Sequence, residues 1–120
     1  MKTILIVEDN EKNRYLMRFI LEKNKYTVWE ACNAQTVLDM MNQDRKPDAI
    51  LMDIQLPDIN GIELTRIIRQ SGWDGTIPII AITSYAMTGD RGIALDAGCT
   101  GYIEKPINPE TIIGEIEQYL

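Results

Sequence analysis

Ile4-Leu5-Ile6-Val7-Glu8-Asp9-Asn10 is the stretch that decides the fold: four apolar residues in a row lead without a break into two acids and an amide. A short run that is apolar at every position suits a strand covered on both faces. Asn10 then offers a side-chain oxygen to the first amides of a helix. Comparable runs return at Ala49-Ile50-Leu51-Met52-Asp53, at Ile79-Ile80-Ala81-Ile82-Thr83-Ser84 and at Gly101-Tyr102-Ile103-Glu104-Lys105-Pro106. Strands are therefore expected at 3–8, 27–31, 49–53, 79–83 and 101–103.

Segments of helical period separate them. Leu16, Met17, Ile20 and Leu21 form one core-facing stripe after Asn10, closed by Lys23-Asn24-Lys25. Ala34, Val37, Leu38 and Met41 form a second, which Lys46-Pro47 stops, and Ile62, Leu64, Ile67 and Ile68 a third. The last helix takes Asn108 as its cap and Pro109 as its first position, and buries Ile112, Ile113, Ile116 and Leu120. The fourth, over 88–97, is weak: its stripe is Ile93, Leu95 and alanines, and Gly89 and Gly92 each cost about 1 kcal/mol relative to alanine. Trp73, in a loop over 71–75, reads as a half-exposed staple. Strands alternating with helices predict an α/β domain with a parallel sheet wrapped on both faces.

Composition narrows the function. A chain of 120 residues with 45% hydrophobic content makes one domain, 1–120. Its net charge of −6, with the basic residues scattered, argues against direct binding to nucleic acid or to an anionic membrane surface. No apolar run approaches the roughly 20 residues of a membrane span, and Met1-Lys2-Thr3 leads straight into a strand, so a cytoplasmic protein is expected. Cys32 and Cys99 lack a metal-binding spacing and read as small apolar fillers. Histidine is absent, so no histidine-based triad or phosphohistidine can be built from this chain, and any histidine chemistry belongs to a partner.

In an open parallel sheet, residues at the carboxyl ends of strands become neighbours. Glu8, Asp9, Asp53, Thr83 and Lys105 all qualify. Like charges brought to one edge need a cation, and a hard one such as Mg²⁺ suits Asp9 and Asp53 directly, Glu8 through water, and the carbonyl of Gln55. Acid, hydroxyl and amine together point to phosphoryl chemistry.

Ile4-Leu5-Ile6-Val7-Glu8-Asp9-Asn10, Leu51-Met52-Asp53-Ile54-Gln55-Leu56-Pro57, Ala81-Ile82-Thr83-Ser84 and Tyr102-Ile103-Glu104-Lys105-Pro106 resemble, in order and over essentially the whole chain, the receiver domain of bacterial two-component response regulators. Gln55-Leu56-Pro57 with Asn60-Gly61, and Tyr85-Ala86-Met87 with Gly89-Asp90, are most similar to single-domain regulators of the DivK type and to receivers of hybrid kinases. The resemblance implies a flavodoxin-like doubly wound sheet of order 2-1-3-4-5 with five helices. It implies that Asp53 accepts a phosphoryl group from a histidine kinase or histidine phosphotransfer protein, with Mg²⁺ on Glu8, Asp9, Asp53 and Gln55. Lys105 would bind a phosphoryl oxygen, aimed by a cis bond to Pro106. Thr83 would turn inward and Tyr102 follow, reporting phosphorylation to the surface of helix four, strand five and helix five, where a downstream protein docks and two copies dimerise. Gln55 and Tyr85 would set the lifetime of the phosphorylated form, bulky Tyr85 by shielding it from water. The protein would then be a switch that catalyses only its own phosphorylation and dephosphorylation.

Three other classes fit less well. A receiver-like module that binds without phosphorylation usually lacks an acid, the Thr or the Lys, and none is missing here. A flavodoxin needs a hydroxyl- and glycine-rich phosphate loop where Glu8-Asp9-Asn10-Glu11 would repel a phosphate. A metal phosphatase wants a second carboxylate two residues past Asp53, where Gln55 stands. Because the last predicted helix reaches Leu120, no output domain is expected to follow, leaving a stand-alone regulator or an excised receiver.

Overall fold

The computed structural model describes residues 2–43, 45–70, 73, 75–83 and 90–120, the last of these stretches by backbone alone at 90 and 91. Five strands, β1 (Thr3–Val7), β2 (Thr27–Ala31), β3 (Ala49–Asp53), β4 (Ile79–Thr83) and β5 (Gly101–Glu104), alternate with five helices, α1 (Glu11–Lys23), α2 (Ala34–Met41), α3 (Gly61–Gln70), α4 (Asp90–Ala97) and α5 (Ile112–Glu117). All strand pairs are parallel and the order is β2-β1-β3-β4-β5. This is the expected flavodoxin-like doubly wound sheet. The chain moves outward from β1 to β2, then crosses back over β1 to β3, so the crevice at the switch point opens above β1 and β3.

Strand alternation sends the apolar runs to both faces. Leu5, Val7, Ile50, Met52, Ile79 and Ala81 meet Val37, Leu64, Ile68 and Ala94 on one side. Ile4, Ile6, Leu51, Ile80 and Ile82 meet Met17, Ile20, Leu21, Ile112 and Ile116 on the other. β3, central and covered twice, is buried at every position, Asp53 included. A charge there needs partners.

Some expectations shift. β1 ends at Val7, one residue before the expected Glu8, and β5 runs one further, to Glu104. Leu16 is 38% exposed because Met17, Ile20 and Leu21 already fill the inward stripe of α1. On α4, Ile93 and Leu95 face outward while Ala94 and Ala97 are buried, so this helix packs through its small residues. The described part of α4 begins at Asp90, and residues 88 and 89 of the expected helix lie outside the described residues. α5 begins at Ile112: Asn108 does cap, but it caps a preceding turn, accepting from Glu110 N–H at 2.9 Å and, through its carbonyl, from Thr111 and Ile112. Cys99 is buried as expected, whereas Cys32 is exposed and fills nothing. Trp73 is buried within the core rather than half-exposed. No helix among the described residues is long and apolar enough to cross a membrane.

Candidate functional site

The strand ends above the switch point converge. Glu8, immediately after β1, donates its N–H to Ala31 O at 3.0 Å and so continues the ladder to β2 one step past the strand. Its carboxylate turns into the sheet edge and is 1% exposed. Asp53, the last residue of β3, is 4% exposed. Lys105, immediately after β5, reaches both: Nζ donates to Glu8 Oε1 at 2.9 Å and to Asp53 Oδ2 at 3.1 Å. The remaining oxygens are also engaged, Glu8 Oε2 by Asn10 N–H at 3.2 Å and Asp53 Oδ1 by Gln55 N–H at 3.0 Å. Asp9 is exposed beside them, and one oxygen each of Glu8, Asp9 and Asp53 lies within 4.8 Å of the others.

These charges do not balance. Burial, followed by the approach of Asp53, pushes the Glu8 carboxyl above its usual range even though Lys105 pulls it down. Burial opposes the Lys105 ammonium, but Glu8 and Asp53 outweigh it and hold Lys105 above its ordinary value. Three carboxylates and one ammonium leave an excess of negative charge with all-oxygen donors, which is the chemistry a hard divalent cation satisfies.

Thr83 ends β4, buried at 1% exposure, one residue beyond the Ile82 that pairs with Asp53 in the ladder. Its carbonyl accepts from Lys105 N–H at 2.7 Å, so hydroxyl and amine are carried by one backbone link. The Lys105–Pro106 bond is cis. Tyr102 sits half-buried on β5 against the core that contains Leu64 and Ile68. Gln55 lies in the loop after β3, and Tyr85 lies outside the described residues. A groove of about 300 Å³, lined by Asn13, Leu16, Lys105, Pro106 and Ile107, opens beside the ammonium.

Three supports were not anticipated from the sequence as contacts. Gly61, at the start of α3, passes so close to the end of β3 that a Cβ would collide with Asp53 O and lie 2.8 Å from Ile54 Cα. Its N–H donates to Ile54 O at 2.8 Å. Asp58 ties the same loop to the start of α2, its two oxygens accepting from Ala34 and Gln35 N–H at 2.9 Å each, and those amides hold its carboxyl below the usual range. Arg14 of α1 donates to Glu8 O at 2.9 Å.

Residues 4–117 match the family model of the response regulator receiver domain. The polar-differentiation response regulator DivK of Brucella anthropi is 41% identical over 119 residues, spanning 99% of this chain and 96% of its own. Chemotaxis response regulator CheY4 of Vibrio cholerae superposes with a TM-score of 0.93 at 26% identity, covering 100% and 99% of the two chains. The receiver domain of the sensor histidine kinase PA1611 of Pseudomonas aeruginosa superposes with a TM-score of 0.87 at 32% identity, covering 98% and 96%, and its structure holds a magnesium ion coordinated in the active site cleft.

Proposed function

The chain belongs to the response regulator receiver domain family, and from that premise we propose that it is a phosphorylation-dependent signalling switch whose phosphoacceptor is Asp53. The observation that carries the reading is the position of Lys105, whose ammonium bridges Glu8 and Asp53 at 2.9 and 3.1 Å with Asp9 alongside.

Asp53 Oδ attacks the phosphorus of a phosphohistidine on a kinase or phosphotransfer partner, since this chain has no histidine. The O–P bond of an acyl phosphate forms as the P–N bond breaks, and the donor keeps its imidazole. The protein contributes positioning and charge neutralisation, with no covalent help beyond the nucleophile. Lys105 supplies a compact positive charge to a phosphoryl oxygen, and Thr83 a hydroxyl to another. Glu8, Asp9 and Asp53, with the Gln55 carbonyl, would hold Mg²⁺. When bound, it screens the repulsion between carboxylate and phosphate and stabilises the equatorial oxygens. The groove beside Lys105 gives the partner apolar ground next to the reacting centre. The half-buried Tyr102 is the group through which Thr83 passes the change to the outer surface of β5. We place the switch in the cytoplasm, catalysing only its own phosphorylation and dephosphorylation.

Intact mass after incubation with Mg²⁺ and acetyl phosphate tests this. The wild-type chain gains about 80 Da, one phosphoryl group, and Asp53→Asn does not. A gain that survives in Asp53→Asn assigns the phosphate elsewhere and ends the reading.

A further inference from the structure

Arg14 has a place that its own helix does not call for. It lies in the opening turns of α1, toward the positive end of the helix dipole, where a cation is unfavourable. The cap there is already provided by Asn10, which accepts from Asn13 N–H at 3.0 Å. Arg14 instead turns back over the acidic loop: Nη1 donates to the main-chain carbonyl of Glu8 at 2.9 Å, and Nε stands 3.4 Å from Glu30 Oε1 on β2. The other oxygen of Glu30 is held by Arg18 at 2.9 Å, which is braced by Glu22 at 3.1 Å. The N–H of Glu8 donates to Ala31, the neighbour of Glu30. Both main-chain polar groups of Glu8 are thus fastened to one short stretch of β2, one directly and one through a guanidinium.

The carbonyl in question belongs to the peptide between Glu8 and Asp9. Its orientation sets the direction in which the two acidic side chains leave the backbone. We propose that Arg14 is a positioning residue for the metal-binding acids, holding the Glu8–Asp9 peptide so that both carboxylates converge on Asp53. The role requires a planar fork, because one group must satisfy a carbonyl and a carboxylate together, which the single ammonium of lysine does less well.

The proposal rests on the receiver reading above, and its test separates the two. Mn²⁺ binding, followed by the loss of the free-ion EPR signal, is measured on wild type, Arg14→Met, Arg14→Lys and Glu30→Gln, with the melting temperature of each metal-free protein alongside. Arg14→Met is expected to bind Mn²⁺ about tenfold more weakly, as loss of an outer support of metal ligands does. Arg14→Lys recovers part of that loss, and Glu30→Gln loses less than Arg14→Met but more than about twofold. Saturating Mn²⁺ restores phosphorylation by acetyl phosphate in all three. A melting temperature that falls while Mn²⁺ affinity stays within about twofold of wild type makes Arg14 a stability residue only and overturns the proposal. Should Arg14→Met fail to fold, Glu30→Gln decides by the same criterion. A wild-type chain that binds no Mn²⁺ overturns the metal-dependent reading itself.

Discussion

Lys105 Nζ stands 2.9 Å from Glu8 Oε1, joining residues 97 positions apart in sequence, and the same nitrogen reaches Asp53. One ammonium thus serves two nearly buried carboxylates, with a third acid at their side. The metal-free site is held together under like-charge repulsion.

Asp53→Asn removes one of these charges without changing side-chain shape. The metal-free variant is expected to resist urea more than wild type by about 1 kcal/mol, the relief of repulsion that remains after the pair with Lys105 is weakened. Added Mg²⁺ should narrow the gap, because only the wild-type site keeps all three acids. Urea curves with and without Mg²⁺ check this, and a gap that Mg²⁺ leaves unchanged would count against a shared cation.

Gly61→Ala sets a methyl against the backbone of Asp53 and Ile54, where no flexible side chain can yield. A loss of about 1–3 kcal/mol is expected from overpacking. Phosphorylation by acetyl phosphate should slow as well, since the displaced backbone carries Asp53, the proposed phosphoacceptor. Denaturation and mass spectrometry on the same sample measure both.

Tyr26 donates to Glu117 at 2.6 Å, and burial together with that carboxylate pushes its phenol up to about 12. The protonated phenol is the bonded form, so its contribution is complete below the ordinary tyrosine value and is lost as the pH rises toward 12. Tyr26→Phe should cost about 0.5 kcal/mol at neutral pH, the low end for a hydrogen bond near solvent. The difference should shrink as the medium becomes alkaline, and urea titrations of both proteins across that range test the sign.

Cys32 is exposed and Cys99 buried, and burial raises the Cys99 thiol while Thr65 and Arg69 only partly offset it. A thiol reagent should therefore modify one cysteine of the native protein quickly, and the second only on unfolding. Peptide mapping identifies which. Rapid native labelling of Cys99 would contradict the packing described here.

Strands β1, β3 and β4 were legible because each apolar run obeys a local rule, burial on both faces, and its end is marked by a polar residue; edge strand β2, buried only at Ala31, follows no such rule. That Glu8, Asp53, Thr83 and Lys105 stand at one end of the sheet was legible too: a parallel sheet delivers strand ends to one rim whatever the loops do. The supports were harder to read. Arg14 looks like an ordinary surface arginine until β2 brings Glu30 beside it, and Asp58 looks like a turn residue until its loop meets the first amides of α2. Proline before Asp58 marks a turn but does not say which helix the carboxylate will find. The exposure of Ile93 and Leu95 had no local signal either, because a helix that docks through alanine inverts the usual reading of an apolar stripe.

The parallel sheet also makes the molecule one-ended. Among the described residues Glu8, Asp53, Thr83 and Lys105 rise from where strands finish, whereas the rim where they start carries bonds such as Thr3 N–H to Asp48 and Tyr26 to Glu117. That opposite rim is where a dye or a surface tether belongs, because a handle on the exposed Lys25 side chain leaves both of those bonds intact and stands at the far end of the strands from Glu8, Asp53 and Lys105.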